Sequence, residues 1–281
     1  MSLPLISAVL LAALLHALWN SFVKIGGDRL ASVVVIVATG GVLALPLALA
    51  FPLPGPRTWP FVAATTAVHL VYYYCLINAY RFGDLSRVYP LARGVAPPLV
   101  VLGAAVAAGE LPTAREAFGI ALISGGIASL VIGPAPAPPP DRRSLWFALA
   151  TGAMIATYTV IDGLGGRSVA NPLSYIAWMN IGEAVAVIGA ARLRRGAALW
   201  DEVPPALGRG IAAGAMAAVA YAIVIVALRL GAMANVSALR ETSVVIAALI
   251  GTLVLGEPGL VRRVGAALVV CAGALVMHWR A

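Results

Sequence analysis

The sequence has little charge. Only 11% of its 281 residues are Asp, Glu, Lys or Arg, whereas soluble domains average about 25%. Hydrophobic residues make up 62% of the chain. A large water-soluble domain is therefore excluded, and lipid is the expected surrounding medium. Lysine is almost absent, and the net charge of +8 comes mainly from arginines scattered at the ends of apolar runs. That placement is typical of membrane topology and argues against a nucleic-acid-binding surface.

Cysteine and the familiar catalytic motifs are also scarce. Cys75 and Cys271 both fall inside apolar runs, so we expect two small core residues and no disulfide framework. The chain has no His-Glu-x-x-His motif, no phosphate-binding loop and no cysteine pair spaced for a metal. We therefore expect neither an enzyme nor a bound metal or cofactor. Without a nucleotide-binding domain, any uphill transport has to use an ion or substrate gradient.

Charges, glycines and prolines divide the chain into ten apolar segments, each long enough to cross a membrane as a helix. The proline-rich residues 134–143 (PAPAPPPDRR) cannot continue a helix, so they are the predicted linker between two halves, residues 1–133 and 144–281. The predicted fold is an all-α integral membrane protein of two five-helix repeats. The segments lie near residues 4–24, 30–51, 59–82, 85–108, 114–133, 144–164, 172–193, 206–230, 232–255 and 259–279.

The two halves are related in sequence. YRFGDLSRVYPLAR, residues 80–93, aligns with LRLGAMANVSALR, residues 228–240, so that Arg93 matches Arg240. Further on, the Gly-Glu pair at 109–110 matches the pair at 256–257. Because each repeat has an odd number of segments, the second copy enters the membrane from the opposite side. Inverted repeats are typical of alternating-access transporters, whose substrate binds near the membrane midplane.

Basic residues in the connecting loops predict the orientation. The loops that follow the odd-numbered segments hold more Lys and Arg than the even-numbered loops and the termini. Cytoplasmic loops carry the excess of positive charge, so this bias predicts that both termini lie outside.

The ten segments, the five-plus-five repeat, the Gly-Glu pairs after segments 4 and 9 and the glycine-spaced segments that follow resemble the drug/metabolite transporter superfamily, EamA-type. The resemblance covers the whole chain and implies a ten-helix exporter of small metabolites in a bacterial inner membrane. Bacterial aromatic amino acid exporters are the branch it resembles most. It also implies termini in the cytoplasm, opposite to the charge bias.

A second resemblance concerns the first segment. His16 precedes Lys24 by eight residues, the spacing at which small multidrug resistance proteins carry a glutamate that alternately binds protons and cationic drugs. Because this position is a histidine, a cation-for-proton exchange that depends on that carboxylate is not expected.

Ionisable residues within the apolar segments are the first candidates for function, because each costs about 2.5 kcal/mol or more to insert. Arg93 and Arg240 are predicted to bind a carboxylate or phosphate; the alternative is that each joins two helices. Glu183 and Glu241 are the candidates for proton coupling. The structural alternative pairs Glu183 with either arginine. Adjacent residues point about 100° apart on a helix, so Arg240 and Glu241 are not expected to pair.

Aromatic and polar residues supply the second set of candidates. His69, Tyr73 and Tyr80 share one face of segment 3, and the repeat places Tyr221 opposite Tyr73. Asp162 lies near the end of its segment and is predicted to be interfacial. The alternative for each aromatic residue is packing or an interfacial belt. With Arg93 and Arg240, the predicted substrate-binding residues are His16, Trp19, Asn20, His69, Tyr72, Tyr73, Tyr89, Tyr158, Trp178 and Tyr221.

Prolines and glycines predict motion and close packing. Segment 4 contains Pro90, Pro97 and Pro98, whereas its repeat partner, segment 9, has none, so a kink and part of the gate are expected in segment 4. Glycines in segments 5 and 10 predict close approach of these two helices. The expected assembly is a monomer, with a dimer as the alternative. The glycines are Gly119, Gly125, Gly126, Gly265 and Gly273.

Taken together, these features favour a secondary transporter that exports small metabolites, with amino acids as the favoured substrates. Membrane lipid and the transported molecule are the expected partners, and nucleic acid is not one. Three alternatives remain open: an exchanger of phosphorylated metabolites, a transporter of cationic compounds, and a membrane accessory protein that does not transport.

Overall fold

The computed structural model describes residues 1–24, 28–83, 85–131, 141–253 and 259–278. Within these ranges the chain forms eleven α-helices and one short 3-10 turn, with no strand. The helices are α1 (Leu3–Lys24), α2 (Arg29–Ala50), α3 (Trp59–Phe82), α4 (Leu85–Ala108), α5 (Ala114–Ser129), α6 (Arg142–Arg167), α7 (Pro172–Arg195), α8 (Leu199–Leu230), α9 (Met233–Arg240), α10 (Thr242–Leu253) and α11 (Leu260–His278).

Eight helical stretches of the described chain are long and apolar enough to cross a membrane. One of them, Pro172–Leu230, contains both α7 and α8, and another, Met233–Ile250, contains α9 and most of α10. Helix α5, with 16 described residues, is not among the eight. The expectation of a helical multi-pass membrane protein is confirmed.

Local sequence signals explain where several helices begin. The Asp28 side chain accepts the backbone N–H of Ala31 and so caps α2. Its carboxylate also lies 2.7 Å from Arg195 Nη1. Partial burial acts to raise the pKa of Asp28, but the bonds from Ala31 and Arg195 outweigh it and hold that pKa below its ordinary value. Thr113 and Glu116 form a reciprocal capping box at the start of α5.

Two helices begin earlier than the hydropathy pattern predicts. Helix α8 starts at Leu199, not near 206, and contains Pro204 and Pro205 in its first turns. The first residues of α8 include charged side chains, so the hydropathy pattern detects only the apolar part of the helix, which is the part expected to lie in lipid. Helix α6 starts at Arg142, with the Asp141 side chain accepting the Arg143 N–H. The predicted linker otherwise falls largely on residues 132–140, which lie outside the described residues.

Segment 9, unlike segment 4, is interrupted. Helix α4 continues through Pro90, Pro97 and Pro98, whereas a turn at Glu241 separates α9 from α10. The Thr242 hydroxyl donates to the Leu239 carbonyl at 2.8 Å, a type of back-bonding that bends helices. A proline-free segment therefore carries the break, and the proline hinge in α4 stays a prediction.

Helices of the first half pack mainly on helices of the second half. Helix α1 contacts α8 and α10, α2 contacts α7 and α8, α3 contacts α6 and α7, and α4 contacts α6. Helix α5 packs against α11. The largest buried cluster joins α1, α4, α5, α6, α8, α9, α10 and α11, so the apolar core belongs to both halves.

The predicted close approach of segments 5 and 10 is confirmed at three of the five glycines. A Cβ atom at Gly119 would lie 2.7 Å from the Gly273 carbonyl oxygen, and one at Gly126 would lie 2.8 Å from Val270. Gly125 and Gly265 face open space, so the prediction was wrong for these two. The core assignment also fails for Cys271, which is exposed, whereas Cys75 is buried.

This difference between glycines predicts a difference in stability. We expect Gly119→Ala to lower the free energy of unfolding by about 1–3 kcal/mol, because the added methyl group meets the backbone of α11. Gly125→Ala, on the same helix, adds the same methyl group in open space and is the matched control. Thermal unfolding of the detergent-solubilised variants measures both. Equal melting temperatures for the two variants would contradict the described α5–α11 contact.

Candidate functional site

Five aromatic residues from three helices form a cluster between the two halves. The His69 ring of α3 stacks on Tyr158 of α6, with ring centroids 4.3 Å apart and planes 20° apart. Tyr221 of α8 meets both rings edge-on, at 6.1 Å from His69 and 5.9 Å from Tyr158. Tyr72 meets Tyr158 and Tyr73 edge-on. His69 Nδ1 lies 2.9 Å from the Thr65 carbonyl oxygen, which holds the imidazole in place.

Two tyrosines of this cluster donate to buried carboxylates. The Tyr73 hydroxyl donates to Glu183 Oε1 at 2.8 Å, and the Tyr221 hydroxyl donates to Asp162 Oδ2. Tyr175 donates to the other oxygen of Asp162, Oδ1, at 2.7 Å. Within the described residues, neither Glu183 nor Asp162 forms an ion pair. The hydrogen bonds of both carboxylates in the described structure come from phenol donors.

A second cluster contains two arginines and one glutamate at the break between α9 and α10. Arg93 of α4 and Arg240 of α9 are each 3% exposed, and Glu241 is completely buried. Arg93 Nε lies 2.6 Å from Glu241 Oε2, and its Nη2 donates to Ser243 Oγ at 3.3 Å. With one acid and two arginines, this cluster carries one excess positive charge.

Arg240 is bound less completely than Arg93. Its Nη2 lies 3.6 Å from Glu241 Oε1, too long for a hydrogen bond. Among the described residues, the buried Nε and Nη2 of Arg240 have no hydrogen-bond partner. Arg93 Nε also forms no hydrogen bond of standard geometry, but it lies 2.6 Å from Glu241 Oε2, whereas no acid comes that close to Arg240 in the described structure. A buried guanidinium with free donors is suited to a carboxylate or phosphate ligand, because it can offer two parallel N–H groups.

The arginine cluster and the aromatic cluster adjoin. Tyr158 lies within electrostatic reach of Arg93, Arg240, Glu241 and Asp162. Tyr221, which donates to Asp162, is likewise within reach of Arg240. His16 of α1 is within reach of both arginines, and Tyr89 is close to Arg93 and Glu241. Two buried arginines and an aromatic cluster therefore lie in one region of the structure.

Three other predicted residues have partners outside the five-ring aromatic cluster. Trp178 packs edge-on against Trp59, with ring centroids 5.3 Å apart, and belongs to an apolar cluster that Tyr221 also contacts. Trp19 donates to His16 Nδ1 at 3.2 Å, and the Asn20 amide donates to the His16 carbonyl oxygen at 2.7 Å. These two side chains are thus engaged within their own helix.

Three expectations about charge pairing were wrong. Arg240 and Glu241, although adjacent, lie within 4 Å, because the helix ends at this position and no longer separates them by 100°. Glu183 binds Tyr73 and forms no ion pair with an arginine in the described structure. Asp162 is completely buried, not interfacial, because α7 and α8 supply the tyrosines that cover it.

The sequence reasoning missed Asp162, Tyr175 and Ser243 as parts of the site. A signal for Asp162 was present, since it follows Tyr158 by four residues and so lies on the same helix face. Tyr175 and Ser243 give no comparable signal, because their roles depend on contacts between distant helices. Among the described residues, no group of three His, Cys, Asp or Glu side chains could hold a metal ion.

Polar contacts join several helix ends on one face of the helix bundle. Arg167, at the end of α6, pairs with Glu110 and also donates to the carbonyl oxygens of Leu228 and Gly231. Glu110 in turn accepts the backbone N–H of Met233 at 2.8 Å, at the start of α9. These contacts connect the ends of α4, α6 and α8 with the beginning of α9.

A comparison with known protein families gives a match for the second half of the chain. Residues 142–279 match the model of the EamA-like transporter family. This half of the chain carries an EamA-like transporter domain. It supplies Tyr158, Asp162 and Tyr221, as well as the Arg240–Glu241 pair at the helix break. Half of the candidate site therefore lies in a domain of a transporter family.

The whole chain shares its fold with a solved structure. A crystal structure, described only as that of a protein, superimposes with a TM-score of 0.69 at 19% sequence identity. The match covers 97% of this chain and 95% of the other. Both halves, including the part outside the EamA-like match, therefore share one arrangement with that structure. No curated protein matches the sequence.

Proposed function

We propose that the protein is a secondary transporter that moves small, carboxylate-bearing amphipathic metabolites, amino acids above all, across the bacterial inner membrane. The observation that carries this proposal is the partly unbound guanidinium of Arg240, buried beside an aromatic cluster. A carboxylate on Arg240 would leave the apolar part of the same molecule against Tyr158 and Tyr221. The EamA-like domain supports transport as the general activity.

Two inverted five-helix repeats are the proposed architecture. When α9 and α10 are counted as one broken span, the described helices make ten spans. Their contacts also occur as counterparts: α3 with α6 matches α8 with α1, and α4 with α6 matches α10 with α1. If each helix is replaced by its counterpart in the other half, the α2–α7 contact and the α5–α11 contact each map onto themselves. These paired contacts support a pseudo-twofold axis and hence alternating access around the central site.

The charge of the site favours carboxylates over phosphorylated metabolites. Arg93 and Arg240 face a single acid, Glu241, so the cluster has one positive charge to offer. One charge balances one carboxylate, whereas a phosphate monoester carries nearly two negative charges at neutral pH. Arg93 is moreover occupied by Glu241 and Ser243.

The test is transport by the purified protein in liposomes that contain labelled L-phenylalanine. Two molecules with the same ring separate the chemical groups: 3-phenylpropionate keeps the carboxylate without the amine, and phenethylamine keeps the amine without the carboxylate. We expect efflux above that of empty liposomes, and competition by 3-phenylpropionate but not by phenethylamine. Competition by phenethylamine alone would favour a cationic substrate, and competition by glucose 6-phosphate alone a phosphorylated one. Correctly folded protein without any flux would contradict transport of amino acids.

A further inference from the structure

Asp162 stands out among the buried acids. Its side chain has no exposed surface, and the described residues place no arginine, lysine or histidine in an ion pair with it. A carboxylate that is buried with two phenol donors and no cation in an ion pair gains charge balance when it binds a proton. Glu241 differs because two arginines face it, and Glu183 differs because 9% of it stays exposed. We propose that Asp162 is the proton-binding site of the transport cycle and that Tyr221 is the route by which the proton reaches it.

The two tyrosines that bind Asp162 have different surroundings. Tyr175 is completely buried, and its ring lies against Gly165, where a Cβ atom would approach within 2.4 Å. Tyr221 is only partly buried, and its ring contacts His69 and Tyr158 in the aromatic cluster. Tyr175 is therefore a fixed donor, whereas Tyr221 connects Asp162 with the proposed substrate site.

The proton transfer is simple. The Tyr221 hydroxyl gives its proton to Asp162 Oδ2, and its oxygen takes a proton from a hydronium ion in the site. The carboxylate becomes a carboxylic acid, the phenol is restored, and a water molecule remains. The titratable and charged groups around this unit come from every helix packed on α6. They are His69 on α3, Arg93 on α4, Tyr158 on α6, Tyr175 on α7, Tyr221 on α8 and Arg240 on α9.

This arrangement couples the proton to the substrate through Tyr221. The ring of Tyr221 lies within electrostatic reach of both Arg240 and Asp162. A substrate bound at Arg240 would contact the residue that delivers the proton. Asp162 lies five residues before Arg167, and so about 7.5 Å along the helix from the Arg167–Glu110 pair. Along α6, the proton site thus lies between Tyr158, at the proposed substrate site, and Arg167. The inference rests on the proposed function, since it assigns the coupling ion of the same site.

The first experiment detects the proton without any substrate. Infrared difference spectra of the purified protein between high and low pH should show the carbonyl band of a carboxylic acid that forms as the pH falls. We expect Asp162→Asn to lose this band, and Glu183→Gln to keep it. Glu183 is the matched control, as a buried acid that accepts from a tyrosine without an ion pair. An unchanged band in Asp162→Asn, or its loss in Glu183→Gln alone, would overturn the proposal.

The second experiment tests the coupling in liposomes, with labelled L-phenylalanine as the probe. With an imposed proton gradient, wild-type protein should accumulate phenylalanine. Accumulation by Asp162→Asn should fall to the level seen without a gradient. The same variant should still exchange internal for external phenylalanine. Tyr221→Phe should slow gradient-driven uptake at least about tenfold, whereas Tyr74→Phe, which removes the same hydroxyl from an exposed tyrosine that packs on Phe147, should not. Gradient-driven accumulation in Asp162→Asn would overturn the proposal. Absence of phenylalanine flux in the wild type counts against the proposed substrate, and the infrared result still decides the proton site.

Discussion

Replacement of Arg240 by glutamine should raise the apparent KM for phenylalanine about 10- to 100-fold, because a hydrogen bond to a charged group contributes about 1.5–3 kcal/mol and each 1.4 kcal/mol is a factor of ten. The physical reason is that Arg240 Nε and Nη2 have no other hydrogen-bond partner in the described structure, so the substrate is their proposed acceptor. Arg240→Lys should give an intermediate KM, because an ammonium group keeps the charge but cannot offer two parallel donors.

The unfolding temperatures of two variants distinguish this binding role of Arg240 from a structural role. Without Arg240, the Arg93–Glu241 pair keeps a balanced charge, so Arg240→Gln should unfold at the wild-type temperature or above it. Arg93→Gln is the control, since it leaves the Glu241 carboxylate without its close partner and should lower that temperature. A KM within twofold of the wild-type value for Arg240→Gln would show that the carboxylate binds elsewhere.

The two arginines also show what a sequence repeat can and cannot predict. The alignment of residues 80–93 with 228–240 correctly identified Arg93 and Arg240 as buried charges near the centre. It could not distinguish their roles, because the distinction depends on Glu241, which has no acidic counterpart beside Arg93. This one acid takes the close contact with Arg93 and leaves Arg240 partly unbound.

The positions of several helices were also predictable from the sequence. Prolines, glycines and charges end apolar segments by local chemistry, so the bounds of α3 and α4 agree with the hydropathy pattern. The break at Glu241 was not predictable, since no proline or glycine marks it. It arises where Thr242 bonds back to Leu239 and where a buried acid turns toward an arginine of another helix.

Asp162 illustrates the limit of arguments from position within a segment. Its place near the end of the apolar segment at residues 144–164 predicted an interfacial side chain. Tyr175 and Tyr221, from two other helices, cover it completely. Depth along one helix does not determine burial when neighbouring helices bring large side chains over its end. The same contacts make Asp162 the acid that best fits a proton site.

Glu241 should be the residue whose replacement most reduces stability. Glu241→Gln leaves two buried guanidiniums, Arg93 and Arg240, without a counter-ion, and removal of one partner of a buried ion pair costs about 3–5 kcal/mol. Glu110→Gln is the matched control. It removes the same charge from a pair with Arg167 whose side chains are 29% and 23% exposed, where an ion pair contributes about 1 kcal/mol or less. Thermal unfolding in detergent measures both variants.

A double variant tests whether this loss comes from the ion pair or only from a disturbed helix break. Replacement of both partners of a buried pair by apolar residues of similar size is often neutral or stabilising. Arg93→Met combined with Glu241→Met should therefore unfold at a higher temperature than either single methionine variant, and the surplus is the coupling between the two side chains. If the losses simply add, the 2.6 Å contact between Arg93 and Glu241 contributes nothing to stability. Coupling of the expected size would instead mean that Glu241 stabilises the buried Arg93. Because Glu241 makes its close contact with Arg93, Arg240 stays free to bind substrate.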